Sequence, residues 1–196
     1  MILMFDNVVT PSYAKALEGM ALNAQFYYLP KTTSEQHDTH SAIIDENVRD
    51  NGQFICQLFA QNKPQTEVFM ARVDPLIYTL MDLLKDTDFA FKDVHRVKVN
   101  MLVKDVGFCA YNYNEPHVDN DDPNQKATSI IYYANDSDGE TVFFNEFYSA
   151  ETQKLTVAQR VMPKRNRIAV FDSERYHASS NPIANGARTV LNFVVY

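Results

Sequence analysis

A histidine and an aspartate that could bind a metal ion lie close together in residues 115–121, which read EPHVDND. His117 and Asp119 are separated by one residue, so both side chains point to the same face of an extended segment. An imidazole and a carboxylate placed in this way can bind one divalent cation. Polar loops contain such pairs by chance, and the metal site therefore depends on a further ligand elsewhere in the chain.

A third candidate ligand, His177, lies in the segment RYHASS, 58 residues after Asp119. Two histidines and one carboxylate occupy one side of an octahedral ion and leave three positions open, which is the ligand set of non-haem Fe(II) oxygenases. Zinc accepts the same ligand types, but a catalytic zinc ion usually keeps only one open position. The ligand types therefore favour Fe(II), with zinc as the alternative.

A basic residue, Arg188, opens the last predicted strand, RTVLNFVVY. The planar guanidinium group can form two parallel hydrogen bonds with a carboxylate. Inside a barrel, such a group could hold one end of a dicarboxylate whose other end chelates the metal. A zinc hydrolase would not require such a carboxylate-binding arginine, so Arg188 also favours Fe(II) over zinc.

The elements that must position these residues differ between the two halves of the chain. Apolar residues at helical spacing predict a main helix over 65–85, and further helices are predicted over 11–23 and 47–61. Residues 25–48 predict a long loop, and long loops in compact domains are often functional. With Tyr27, Tyr28 and His40, this loop is a candidate lid over a substrate.

The second half predicts strands, because its segments are rich in β-branched and aromatic residues and are separated by turn residues. No helical period lies between them, so the sheet should be mostly antiparallel. We expect one α+β domain over residues 1–196, in which helices of residues 1–94 support a double-stranded β-helix (jelly-roll) barrel of residues 95–196. The predicted strands are 95–104, 127–134, 140–148, 156–162, 167–172 and 189–196.

Charge and composition exclude several classes of function. The 196 residues include 18 basic and 25 acidic side chains, a net charge of −7, so neither a nucleic acid nor an anionic membrane is an expected partner. No run of apolar residues is long enough to span a bilayer. Two cysteines make no disulfide framework, so a cytoplasmic location is expected.

Two other patterns invite a metal-site interpretation and fail. His37 and His40, in HDTH, have no third ligand in register. The turn DSDG does not fit an EF-hand calcium loop, because placing Gly139 at the sixth position puts Ala134 at the first and Asn145 at the twelfth, where carboxylates are required.

Residues 95–196 resemble the prolyl-hydroxylase-like branch of the Fe(II)- and 2-oxoglutarate-dependent oxygenases. The resemblance rests on the blocks PHVDN, SIIYYAN, DGETVFF, PKRNRIAVFDS, RYHAS and ARTVLNFVVY, in this order. It implies that His117, Asp119 and His177 are the iron ligands. It also implies that Arg188 holds the distal carboxylate of 2-oxoglutarate.

Three further residues are expected in the cosubstrate pocket. Tyr133 looks like the family tyrosine whose hydroxyl reaches the same carboxylate, and strand alternation places it inward with Ser129 and Ile131. Thr141 matches the position after the turn that lines the pocket in relatives. Alternation from Arg188 also turns Asn192 inward.

The sequence departs from the family where relatives often have a second tyrosine facing the cosubstrate. The strand before the ligand pair reads NMLVKDV here, with Lys104 close to that position. Tyr111 and Tyr113 are the candidates to replace the missing tyrosine. Residues 1–94 show no family match.

The resemblance implies a dioxygenase that hydroxylates an unactivated C–H bond and releases succinate and CO2. Its expected cofactors are Fe(II), 2-oxoglutarate as cosubstrate and ascorbate as a further candidate, with O2 as the oxidant. A peptidyl prolyl residue is the expected substrate, so the expected partner is a peptide or protein. The alternatives are the same chemistry on a small molecule or a nucleobase, and a metal-binding barrel without turnover.

Overall fold

The computed structural model describes residues 1–32, 45–61, 63–120, 122, 124–149, 151–152 and 154–196. In these parts of the chain the backbone forms two helices and eleven strands. Their bounds are β1 (Ile2–Asp6), α1 (Pro11–Leu22), β2 (Tyr27–Leu29), β3 (Gln53–Ala60), β4 (Lys63–Pro64), α2 (Glu67–Leu84), β5 (Val94–Val103), β6 (Thr128–Tyr133), β7 (Thr141–Phe147), β8 (Val157–Val161), β9 (Arg167–Asp172), β10 (Arg175–Ser179) and β11 (Ala187–Val195).

The strands form two antiparallel sheets. The large sheet has the order β1-β9-β6-β11-β5-β3-β2, with β4 paired to β3, and the small sheet has the order β10-β7-β8. The inner faces of the two sheets pack together, with Phe143 and Val161 of the small sheet against Phe171 and Val190 of the large one. Within the described residues no continuous ladder closes the sheets into a barrel. The fold is therefore the expected jelly roll in an open form.

The two helices cover the other face of the large sheet. Val73, Leu76 and Leu80 of α2 are fully buried in one cluster with residues such as Val99 and Phe193 of the sheet. Burying each such side chain stabilises the fold by about 1.5–3 kcal/mol. Because β6 is covered on both faces, all six of its residues are buried. The helices thus hold the central strands rigid behind the cavity.

Most predicted elements agree with the structure. The helices predicted over 11–23 and 65–85 are α1 and α2, and the six predicted strands are β5 to β9 and β11. The Thr10 hydroxyl accepts a hydrogen bond from the Tyr13 amide and caps α1. None of the described helices is both long and apolar enough to cross a membrane.

The helix predicted over 47–61 is wrong, because residues 53–60 form strand β3. Its sequence QFICQLFA is a short apolar run that fits either period, and pairing with β5 decides the outcome. Cys56 and Leu58 then face the helices. Strands β1, β2, β4 and β10 were not predicted either. Residues 1–94 therefore supply strands as well as helices, while the division of the domain at residue 94 stays a prediction.

Candidate active site

The structure brings the three candidate metal ligands together. Ligand atoms of His117, Asp119 and His177 all lie within 4.8 Å of one another. The backbones of His117 and His177 exchange two hydrogen bonds of 2.9 Å, and the Asp119 amide donates to the Ser173 carbonyl at 2.9 Å. The segment around residues 117–119 therefore lies along β10. This pairing brings His177 next to His117 and Asp119, although they are far apart in the sequence.

Each histidine presents a free ring nitrogen to the site. Nδ1 of His117 lies 3.3 Å from the Glu115 carbonyl oxygen, and Nδ1 of His177 lies 3.1 Å from that of Arg175. A carbonyl only accepts, so Nδ1 carries the proton and Nε2 keeps its lone pair. Burial lowers the pKa of both rings, that of His117 to about 3, so both are neutral at pH 7. Neutral imidazoles with oriented lone pairs are suited to bind a metal ion.

Asp119 is held by three protein groups. Its side chain is only 2% exposed, and Nη2 of Arg96 lies 2.6 Å from Oδ1. The hydroxyl of Ser129 donates to Oδ2 at 2.7 Å, and the amide of Asn192 donates to it at 3.1 Å. Burial alone would raise the pKa of the Asp119 carboxyl, but Arg96 and the other positive and polar neighbours hold it well below its usual range. Asp119 is therefore an anion at neutral pH.

A second charged group, Arg188, lies in the same cavity as the histidines. The residue is 3% exposed, and its Nη2 donates to the Thr141 hydroxyl at 2.7 Å. The Tyr133 hydroxyl donates to the same oxygen at 2.8 Å. No carboxylate of the described residues pairs with Arg188, and its Nε has no hydrogen-bond partner. A buried cation without a counter-ion is costly, so this pocket is suited to bind an anion.

A glycine allows this arrangement. At Gly139, in the turn before β7, a Cβ atom would lie 2.5 Å from the Ser180 carbonyl oxygen and 3.2 Å from Cδ of Arg188. The absence of a side chain therefore lets the turn approach Arg188 and places Thr141 beside it.

The predicted site residues occupy the same region, and the ligand that each binds stays a prediction. Arg188, Thr141 and Asn192 line the cavity with both histidines. Tyr133 is fully buried beside Thr141. Asn192 points inward as expected, but its amide contacts Asp119 and not the Arg188 end of the cavity.

Neither of the two candidates for the missing family tyrosine, Tyr111 and Tyr113, lies among the residues lining the cavity, and Lys104 does not line it either. Tyr111 is exposed, and the Tyr113 hydroxyl donates to Asp45 at 2.6 Å. Lys104 is exposed beyond the end of β5. The residues of β5 that line the cavity are Lys98, Asn100 and Leu102, which lie on one face of the strand.

Several polar residues of the site were not predicted from the sequence, namely Arg96, Lys98, Asn100, Gln53 and Thr32. Alternation along β5 places positions 98, 100 and 102 on one face, and this pattern could have identified Lys98 and Asn100 from the sequence. Burial and the charge of Arg96 lower the pKa of Lys98 to about 8, although Asp119 opposes the shift. Lys98 is therefore still largely charged at pH 7.

The predicted lid is described only in part. Tyr27 and Tyr28 are exposed on the edge strand β2, and Thr32 lines the cavity. His37 and His40 lie outside the described residues. The substrate-covering role of this segment stays a prediction.

Comparison with known proteins agrees with this geometry. Residues 106–196 match the family described as the 2OG-Fe(II) oxygenase superfamily. The resemblance found in the sequence is thereby confirmed. No curated protein sequence matches the chain.

Solved structures share the fold over 99% of this chain. An oxidoreductase of the 2OG-Fe(II) oxygenase family from Burkholderia pseudomallei is 13% identical, with a TM-score of 0.64 and 84% of its own chain covered. A prolyl hydroxylase from Trichoplax adhaerens, in complex with a hypoxia-inducible-factor peptide fragment, is 14% identical, with a TM-score of 0.58 and 83% coverage. A prolyl-4-hydroxylase from Pseudomonas putida is 15% identical, with a TM-score of 0.56 and 91% coverage.

Proposed function

We propose, from the match of residues 106–196 to the 2OG-Fe(II) oxygenase superfamily, that this protein is an Fe(II)- and 2-oxoglutarate-dependent dioxygenase. One observation carries the proposal. The buried guanidinium of Arg188, which no carboxylate of the described residues pairs with, faces the same cavity as the two histidines of a His-Asp-His cluster. A metal and a dicarboxylate are the two ligands that these groups together would take.

The residues fit the two cofactors. His117, Asp119 and His177 would hold Fe(II), which supplies O2 activation and C–H cleavage when bound. Arg188 would bind the far carboxylate of 2-oxoglutarate, and Thr141 and Tyr133 would fix the orientation of its guanidinium. The walls of the cavity would exclude water from the reacting atoms. Ascorbate as a further cofactor stays a prediction.

The hydroxylated group is, in our proposal, a peptidyl prolyl residue. Supporting this, several of the matched structures are prolyl hydroxylases, and the one from Trichoplax adhaerens holds a peptide fragment. A small molecule is the second candidate, because another matched structure, the epimerase SnoN, is described in complex with nogalamycin RO. The two candidates differ in how much of the substrate lies outside the cavity.

Thermal unfolding with Fe(II) and 2-oxoglutarate under anaerobic conditions tests the cofactor assignment. Together they should raise the melting temperature by more than either raises it alone, because each ligand binds only the folded protein. His177→Ala should abolish this synergy. His95→Ala, at an exposed histidine outside the cavity, is the matched control and should preserve it. An absence of any joint effect in the unmodified protein would rule out the proposal.

Mass spectrometry separates the substrate classes. Proline-rich peptides and a cell extract are incubated with the protein, Fe(II), 2-oxoglutarate and O2, and products heavier by one oxygen atom are sought. Modified prolyl peptides would support the peptide substrate. Oxygen addition to metabolites alone would assign the small-molecule function.

A further inference from the structure

A lysine faces the cavity from the strand opposite Asn192. Three residues of β5 line the cavity, and each pairs with a lining residue of β11: Leu102 with Arg188, Asn100 with Val190 and Lys98 with Asn192. The lining of the cavity therefore has two ends. Arg188 lies at one end, and Lys98 lies at the other, beside Asp119.

The ammonium group of Lys98 has no bonded partner among the described residues. Nothing in the described part of the chain forms a hydrogen bond or ion pair with its ammonium group, and its electrostatic contact with Asp119 is shared with Arg96. Arg96 already occupies Oδ1 of that carboxylate. The partly buried Lys98 is therefore, like Arg188, a cation without a bonded anion.

The expected cofactors do not balance this charge. Divalent iron, the Asp119 carboxylate with its partner Arg96, the 2-oxoglutarate dianion and Arg188 together already carry a net positive charge of one, and the two histidines are neutral. The backbone positions 188 and 192 of β11 are separated by about 14 Å along the strand. A cosubstrate that reaches from Arg188 to the metal is already counted in this sum, which leaves the charge of Lys98 for another ligand.

A hydrogen-bond acceptor lies beside this lysine. Gln53 Nε2 donates to the Thr32 carbonyl at 2.7 Å, and Asn100 Nδ2 donates to Gln53 Oε1 at 2.7 Å. The backbone carbonyl can only accept, so it fixes the orientation of both amides. Oδ1 of Asn100 is left buried and without a partner in the described part of the chain. It could accept a hydrogen bond from an N–H or O–H group of a ligand.

We propose that Lys98 and Asn100 form a subsite for the primary substrate, in which Lys98 binds a carboxylate and Asn100 accepts a hydrogen bond from a neighbouring N–H group. This inference rests on the proposed function. In a peptide the carboxylate is either an acidic side chain near the hydroxylated residue or the C-terminal carboxylate. Both sources present an amide N–H close to the anion.

A matched panel of small probes tests the subsite. The panel contains the N-acetyl amino acids with a free carboxylate, the same compounds as carboxamides, and N-acetyl dipeptide amides with an acidic or a neutral second side chain. Binding of each is titrated by calorimetry to the protein loaded with Mn(II) and 2-oxoglutarate. Free acids among the binders indicate a C-terminal carboxylate, and acidic dipeptide amides indicate a side-chain source.

Carboxylate probes should bind about tenfold more tightly than their neutral counterparts, since a charge-assisted hydrogen bond is lost with the charge. Lys98→Met should remove this preference, and Lys98→Gln provides a polar second variant. Lys92→Met, which removes an exposed lysine outside the cavity, should keep it. In all variants the affinity for 2-oxoglutarate should change less than about twofold, which also shows that they are folded.

Three results would overturn the subsite: equal binding of acids and neutral probes, no binding of any carboxylate probe, or an unchanged preference in Lys98→Met. A parallel loss of 2-oxoglutarate affinity in Lys98→Met would assign the lysine to the cosubstrate instead. A failure of the proposed function looks different, because the unmodified protein would then not bind 2-oxoglutarate in the presence of Mn(II).

Discussion

Replacing Arg96 should destabilise the metal-free protein and strengthen its binding of metal. The Asp119 side chain is 2% exposed, and Arg96 lies 2.6 Å from its Oδ1. Removing one partner of a fully buried ion pair costs about 3–5 kcal/mol. Arg96 is 26% exposed, so water screens part of its charge and the expected cost of Arg96→Met is about 2 kcal/mol. In a chain of 196 residues this lowers the melting temperature by about 4–8 °C.

The metal should restore part of this loss. In the unmodified protein Arg96 competes for the negative charge that a divalent ion needs, and Ser129 and Asn192 donate only to the other oxygen. Without Arg96 the carboxylate is a stronger ligand. A gain of about 1 kcal/mol in metal binding corresponds to an affinity about fivefold higher.

Thermal unfolding with and without Mn(II) measures both effects. The upward shift on adding metal should be larger for Arg96→Met than for the unmodified protein, because stabilisation follows the ratio of free ligand to Kd. Arg165→Met removes the same charge from an exposed pair with Glu18 and is the matched control. A smaller shift in Arg96→Met would refute the reasoning, since Arg96 would then support the metal site instead of competing with the metal.

Two further substitutions test the cosubstrate pocket and the edge of the large sheet. Arg188→Met should weaken 2-oxoglutarate binding about 100-fold, and Arg188→Lys by less, with the Mn(II) affinity nearly unchanged in calorimetry; equal losses for both ligands would contradict the role of Arg188. Hydrogen bonds from Arg167 and Lys164 lower the pKa of Asp6 from 3.8 to about 2. The Asp6 contribution is therefore present above pH 4 and is lost as the pH falls towards 2. In urea unfolding, Asp6→Asn should lower the free energy of unfolding by about 1 kcal/mol at pH 7, because the ion pair is partly exposed, and by almost nothing near pH 2. A loss of stability that does not depend on pH would contradict the role of the ion pair.

The parts of the fold that could be predicted are those with an unambiguous period. Helix α2 has apolar residues at helical spacing over 18 residues, and the strands of the second half are separated by clear turn residues. Strand β3 has neither property. Its neighbours β5 and β2 supply its hydrogen bonds, and α2 covers its apolar face, so tertiary contacts decide its conformation.

The metal cluster could be predicted because its chemistry restricts the residue types. The strand spacing of His117 and Asp119 also occurs by chance, so the prediction depended on His177, on Arg188 in the last strand and on the ordered blocks that resemble the oxygenase family. Alternation placed Asn192 inward but could not show which end of the cavity it reaches. That depends on the register between β11 and β5, which pairs Asn192 with Lys98 and leaves it within reach of Asp119.

The cavity is positively charged although the protein carries a net charge of −7. Arg188 lies at one end of the cavity, Arg96 and Lys98 lie near the Asp119 carboxylate at the other end, and both histidines are neutral. Arg188 therefore attracts an anionic cosubstrate to the cavity before any metal binds, and a divalent ion adds to this attraction. Linkage then requires the cosubstrate to strengthen metal binding by the same factor. Positive cooperativity between the two ligands thus follows from where the buried charges lie, and the overall charge gives no indication of it.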